Sequence, residues 1–69
     1  MKTHTITANG KEYLLELPCT IHEFLIAREL PSRSVVVEHN GEATPPSEFT
    51  ARLLSSGDKL EIVRIVAGG

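Results

Sequence analysis

Gly57-Asp58-Lys59-Leu60-Glu61-Ile62-Val63-Arg64-Ile65-Val66-Ala67-Gly68-Gly69 is the stretch that decides the fold. Gly57-Asp58 supplies a tight turn, and residues 59–66 then read as a strand. Successive strand residues point to opposite faces. Leu60 and Ile62 therefore share one face, while Val63 and Ile65 share the other. A strand with two apolar faces belongs inside a sheet, with both faces covered or one face used by a partner. This strand is also the last, so the chain must return to pair beside its first strand.

Working outward, residues 4–8 alternate through Ile6 and Ala8, and Asn9-Gly10 suits a type I′ hairpin turn because both residues tolerate positive φ. Residues 11–17 resume the alternation, with Tyr13, Leu15 and Leu17 on one face and Glu12, Leu14 and Glu16 on the other. Pro18-Cys19 ends that strand. Thr20-Ile21-His22-Glu23 fits a capping box, and Ile21, Phe24 and Leu25 make a helical stripe that Arg28 continues only through its aliphatic stem. The helix is expected to run to about Glu29 or Leu30, ahead of Pro31. His22, in its first turn, is expected to face solvent.

Val35-Val36-Val37 reads as a third strand, Asn40-Gly41 as a second turn, and Pro45-Pro46-Ser47-Glu48 as an irregular connection with a helical turn near Ser47–Thr50. Hairpin, helix, strand, irregular stretch and central strand have one economical solution. It is an α+β domain over residues 1–69, a mixed four- to five-stranded sheet curling over one helix, the β-grasp arrangement. Residues 67–69 are expected to form a flexible tail.

Composition narrows the function. The chain has 69 residues and 41% hydrophobic content, enough for one small core and too apolar for a disordered segment. A net charge of −2, no Lys/Arg run and three aromatics give no footprint for nucleic acid. Cys19 stands alone, so no internal disulfide or thiolate metal cluster is expected. His4, His22 and His39 lack metal-ligand spacing. No leader or membrane-length apolar run is evident, and a cytoplasmic protein, monomeric when free, is expected.

Few residues remain as candidates for chemistry. No Lys or Arg adjoins Cys19 to activate it, so it reads as a structural thiol despite preceding a helix start. Glu12, Glu16, Glu38, Glu42 and Glu61 read as a solvated polar face. Val63 and Ile65 have two open readings: an apolar docking patch, or a surface covered by the chain's own Phe49 or Leu53-Leu54. Ala67, Gly68 and Gly69 follow the final strand with no spacer. Without Cβ atoms, the two glycines suit a segment that must enter a narrow channel.

Thr20-Ile21-His22-Glu23-Phe24-Leu25, Val37-Glu38-His39-Asn40-Gly41-Glu42, Gly57-Asp58 and the run Ile62 to Gly69 together resemble the ThiS family, sulfur carriers of thiamine biosynthesis with a ubiquitin-like β-grasp fold. The resemblance covers nearly the whole chain and rests on the order and spacing of these segments. It implies a carrier that catalyses nothing and binds no cofactor. A ThiF-type adenylating enzyme, related to ubiquitin-activating enzymes, would consume ATP to adenylate the Gly69 carboxylate. A persulfide cysteine of a sulfur donor would then displace AMP to leave a thiocarboxylate. Thiazole synthase, ThiG-type, would receive the sulfur. Gly68 and Ala67 would thread Gly69 into the partner's active site. Sulfur delivery to a molybdopterin synthase, a ubiquitin-like protein modifier, and a plain interaction domain with an idle tail stay open as alternatives.

Overall fold

The two Asn-Gly pairs adopt the conformations their residue types favour. In the computed structural model, Asn9 and Gly10 have φ of 51° and 80°, and Asn40 and Gly41 have φ of 52° and 85°. Two consecutive left-handed residues make the type I′ turn that matches the twist of a hairpin. The first turn joins β1 (Thr3–Ala8) to β2 (Lys11–Glu16), and the second joins β3 (Val35–His39) to β4 (Glu42–Thr44). The structure describes residues 3–65.

β5 (Lys59–Arg64) lies between the two hairpins, parallel to β1 and antiparallel to β3, in the order β2-β1-β5-β3-β4. The final strand is therefore central, as its two apolar faces require. The strand ends at Arg64 rather than residue 66. Val66 and the expected tail at Ala67, Gly68 and Gly69 lie outside the described residues. On the other flank, Val37 pairs with Thr44 and His39 with Glu42. Continuing that register would set Pro46 opposite Val35, where proline has no N–H to give, and β4 stops before it.

Helix α1 (Ile21–Ala27) begins with the expected capping box: the Glu23 amide donates to Thr20 Oγ1 at 3.0 Å, and the Thr20 amide donates to Glu23 Oε1 at 2.8 Å. Its buried stripe is Ile21, Phe24 and Leu25. The helix ends about two residues earlier than Pro31 alone suggests. Glu29 takes φ 58°, its amide donates to the Ile26 carbonyl, and the Leu30 amide donates back to the Leu25 carbonyl. That is a Schellman ending with glutamate in the place glycine usually holds.

Two side chains also depart from expectation. Arg28 contributes more than its stem: its guanidinium lies 4.5 Å from the centre of the Tyr13 ring and 4.8 Å from that of Phe24. The two rings meet edge to face at 5.4 Å, so the charge caps an aromatic pair. His22 is half-buried rather than solvent-facing, with Nδ1 3.5 Å from Ser32 Oγ.

The core lies between α1 and one face of the sheet. Ile6, Val37 and Leu60 from the sheet meet Ile21, Phe24 and Leu25 from the helix. A short 3₁₀ turn at Pro46–Glu48 leads into the segment that closes one side. There the Ile21 amide donates to the Arg52 carbonyl, the His22 amide to the Phe49 carbonyl and the Leu54 amide to the Cys19 carbonyl. Phe49 and Leu54 are buried in this core on the helix side.

Candidate functional site

Packing on one side leaves the other side of the sheet uncovered. Val36 on β3 stands directly opposite Val63 on β5, and Ala43 on β4 is opposite Glu38 of β3. Val36, Val63 and Ile65 are 50%, 62% and 54% exposed. The reading in which Phe49 or Leu53-Leu54 covers Val63 and Ile65 is corrected. Phe49 and Leu54 are committed to the core, and Leu53 is itself exposed. The helix needs the 49–54 segment beside its N-terminus, which draws it away from the open face.

The exposed valines and Ile65 are contiguous with a shallow groove of about 360 Å³, lined by Arg33, Val36, Ala43, Pro45, Pro46 and Ile65 among others. Its walls are almost wholly apolar except for Arg33 and Thr44. The groove exists because β4 ends at Thr44, leaving the start of β3 without a neighbour on that side. Further along the same face the surface becomes acidic, since Glu38 and Glu61 are direct cross-strand partners. Like charges placed directly opposite disfavour the sheet.

β5 is fastened along its length. On the β3 side its ladder runs one bond past the strand, the Ile65 amide donating to the Ser34 carbonyl at 2.7 Å. On the β1 side the backbone of Asn9 donates to the Leu60 carbonyl at 2.9 Å. The next bond of a parallel ladder would take the Ile62 amide to the Asn9 carbonyl. Instead Asn9 has turned left-handed, and its side-chain Oδ1 accepts from the Ile62 amide at 2.7 Å. Its Nδ2 then donates to the Ile62 carbonyl at 2.9 Å. One carboxamide thus stands in for a peptide group and carries the pairing beyond the end of β1.

Asn40 makes the same substitution at the other end of β5. Its amide donates to the Lys59 carbonyl at 2.8 Å, and its Oδ1 accepts from the Lys59 amide at 2.8 Å. Its Nδ2 donates to Asp58 Oδ1 at 3.0 Å. Asp58 also accepts from His39 Nε2 at 2.6 Å and from the Ser55 amide at 2.8 Å. The His39 and Asp58 side chains are only 10% and 11% exposed. Burial works to raise the Asp58 carboxyl, but the hydrogen bonds from His39, Asn40 and Ser55 outweigh it and hold the group below the usual aspartate range.

Among the proposed site residues, the structure brings Val63 and Ile65 together on the open face beside the groove. Ala67, Gly68 and Gly69 lie outside the described residues. Cys19 sits half-buried away from that face, its Sγ donating weakly to the Thr20 carbonyl at 3.4 Å. Burial first and Glu23 second push its thiol up, against a smaller opposing effect from Arg28, which leaves little thiolate. The roles of Asn9, Asn40 and Asp58 were not part of the sequence expectation. Their signal is the repeated Asn-Gly, since glycine or aspartate would also make the turn but neither supplies a carboxamide.

A five-stranded mixed sheet on one helix, with its last strand central, defines an α+β protein of the ubiquitin-like β-grasp class. The profile of the ThiS family matches residues 3–69, and the chain belongs to that family. It is similar to the crystal structure of a thiamine biosynthesis protein, ThiS, from Geobacter metallireducens, with a TM-score of 0.79 and 29% identity over 94% of this chain and 99% of that one. It is also 36% identical over 64 residues to a thiazole synthase of Paramagnetospirillum magneticum, a match covering 93% of this chain and 20% of that relative's length. An uncharacterised protein, ycf40, of Trieres chinensis is 32% identical over 65 residues, covering 94% of this chain and 89% of its own.

Proposed function

We propose that this chain is a sulfur carrier for thiazole formation, acted upon by partner enzymes through the carboxylate of Gly69. A carboxylate is a poor electrophile because its charge is delocalised and its oxide leaves badly. Attack of that carboxylate on the α-phosphorus of ATP in an adenylating partner expels pyrophosphate and makes a mixed anhydride. The terminal sulfur of a donor persulfide attacks the acyl carbon, AMP leaves, and reduction of the sulfur–sulfur bond releases the thiocarboxylate. Thiazole synthase is the acceptor. Gly68 and Ala67 give Gly69 a narrow segment for reaching a deep site, and the exposed Val63 and Ile65 dock the partner.

The observation that carries this reading is the family match across residues 3–69, which includes the Gly68-Gly69 ending. The likeness to a stretch within a longer thiazole synthase favours thiazole over molybdopterin as the destination, because it pairs this fold with that enzyme in one polypeptide. The open apolar face next to the end of β5 supports docking beside the tail.

Intact-mass spectrometry tests the proposal. The chain is incubated with a ThiF-type enzyme, ATP, a persulfide donor and a reductant. The expected product is heavier by the difference between sulfur and oxygen, with the change mapping to Gly69 alone. A chain that stays unmodified while an established carrier reacts under the same conditions would overturn it. Conjugates to lysines of other proteins would replace it with the modifier reading.

A further inference from the structure

Resting on the carrier reading, we infer that Asn9 is a positioning residue for the reacting tail, which it sets through the backbone of Ile62. The main-chain ladder between β1 and β5 reaches only Thr7 opposite Lys59 and Ala8 opposite Leu60. Beyond Leu60, residues 61–65 depend on β3 for one edge and on the Asn9 side chain for the other. Asn9 is exposed and its carboxamide closes no core contact. Its two bonds to Ile62, at 2.7 and 2.9 Å, act two residues before Arg64, where β5 ends. They hold the part of β5 from which the tail leaves. A segment whose base is already fixed loses less conformational freedom when a partner binds it.

Asn40 supplies the internal control. It occupies the same turn position with the same left-handed backbone, and its Oδ1 makes the same kind of bond, but at Lys59, the far end of β5. Glycine keeps the turn at either site because it accepts positive φ freely. The variants Asn9→Gly and Asn40→Gly therefore remove one carboxamide each and leave both hairpins closed.

Adenylation is measured as pyrophosphate release by a ThiF-type enzyme with ATP and varied carrier, at a temperature where circular dichroism shows all variants folded. Hydrogen exchange at the Ile62 amide is followed in the free proteins. N9G is expected to raise KM for the carrier by roughly fivefold to tenfold with kcat unchanged, and to speed Ile62 exchange. N40G is expected to leave both within about twofold, although it destabilises the fold at least as much. If N9G leaves KM or Ile62 exchange unchanged while the native chain is adenylated, the positioning role is overturned. A rise in KM as large for N40G as for N9G also overturns it, because general loss of stability would then be the cause. A native chain that is never adenylated overturns the carrier reading, and the role of Asn9 with it.

Discussion

Asn9-Gly10 and Asn40-Gly41 solve the same problem on opposite flanks of β5, yet they differ in what the second half of each carboxamide does. In both, the side-chain oxygen replaces a backbone carbonyl that the turn has carried away. The nitrogen of Asn9 returns to the strand at Ile62 and stays exposed. The nitrogen of Asn40 goes to Asp58 and joins a mostly buried network with His39. The lesson is that one local signal serves two ends. On the β3 flank it ties the entry of β5 into the body of the protein, and on the β1 flank it holds the exit of β5 at the surface.

The contrast is broken most readily at Asp58. Replacing it with alanine leaves His39, the Asn40 carboxamide and the Ser55 amide without their acceptor. A loss of about 3 kcal/mol in urea denaturation is expected, since the partners include charge-assisted hydrogen bonds at a site with little water access. A loss under about 1 kcal/mol would show that the β3 flank is no better anchored than the β1 flank.

The same residue sets an acid limit. Its folded carboxyl titrates below the ordinary aspartate value of about 3.9, so its stabilisation is fully present above that value and drains away as pH falls through the lowered one. Thermal melts from neutral to low pH are expected to show this descent. In Asp58→Asn the part of the slope due to this group should vanish. An unchanged slope would assign the acid sensitivity to other carboxylates.

Smaller differences sharpen the comparison. N40G is expected to cost about 1–2 kcal/mol and N9G about 1 kcal/mol, because the bond from Asn40 to Asp58 is part-buried and goes to a charge. The reverse order in denaturant melts would remove the distinction between entry and exit. Val63→Thr, which keeps the β-branched shape on the open face, is expected to change stability by no more than about 0.5 kcal/mol. A larger cost would make Val63 a support of the fold and weaken its claim as a docking residue.

The features legible in the sequence are those with local causes. Leu60, Ile62, Val63 and Ile65 announce a central strand by making both of its faces apolar, the Asn-Gly pairs announce turns, and Thr20 with Glu23 announces the helix start. What was not legible depends on partners distant in the chain. Asn9 and Ile62 are separated by 53 positions, and no spacing rule connects a turn carboxamide to a strand that far away. The helix ends before Pro31 would stop it because Glu29 occupies a left-handed position where glycine is the usual marker. The Arg28 guanidinium turns inward onto Tyr13, on another element, a contact that helical spacing does not encode. Exposure of Val63 and Ile65 turned on where Phe49 and Leu54 pack, which only the tertiary structure decides.

The central position of β5 bears on how the protein comes into being. Residues 59–64 are synthesised after both hairpins and the helix, yet it is through them that the two hairpins are joined into one sheet. Until they emerge, Leu60 is missing from the core and the edges of β1 and β3 lack their shared partner. A nascent chain cut short before that point has two hairpins of the kind that are marginal alone in water, and proteases clear such chains. Folding therefore doubles as inspection. A molecule that passes it has already carried its synthesis through the central strand of its sheet.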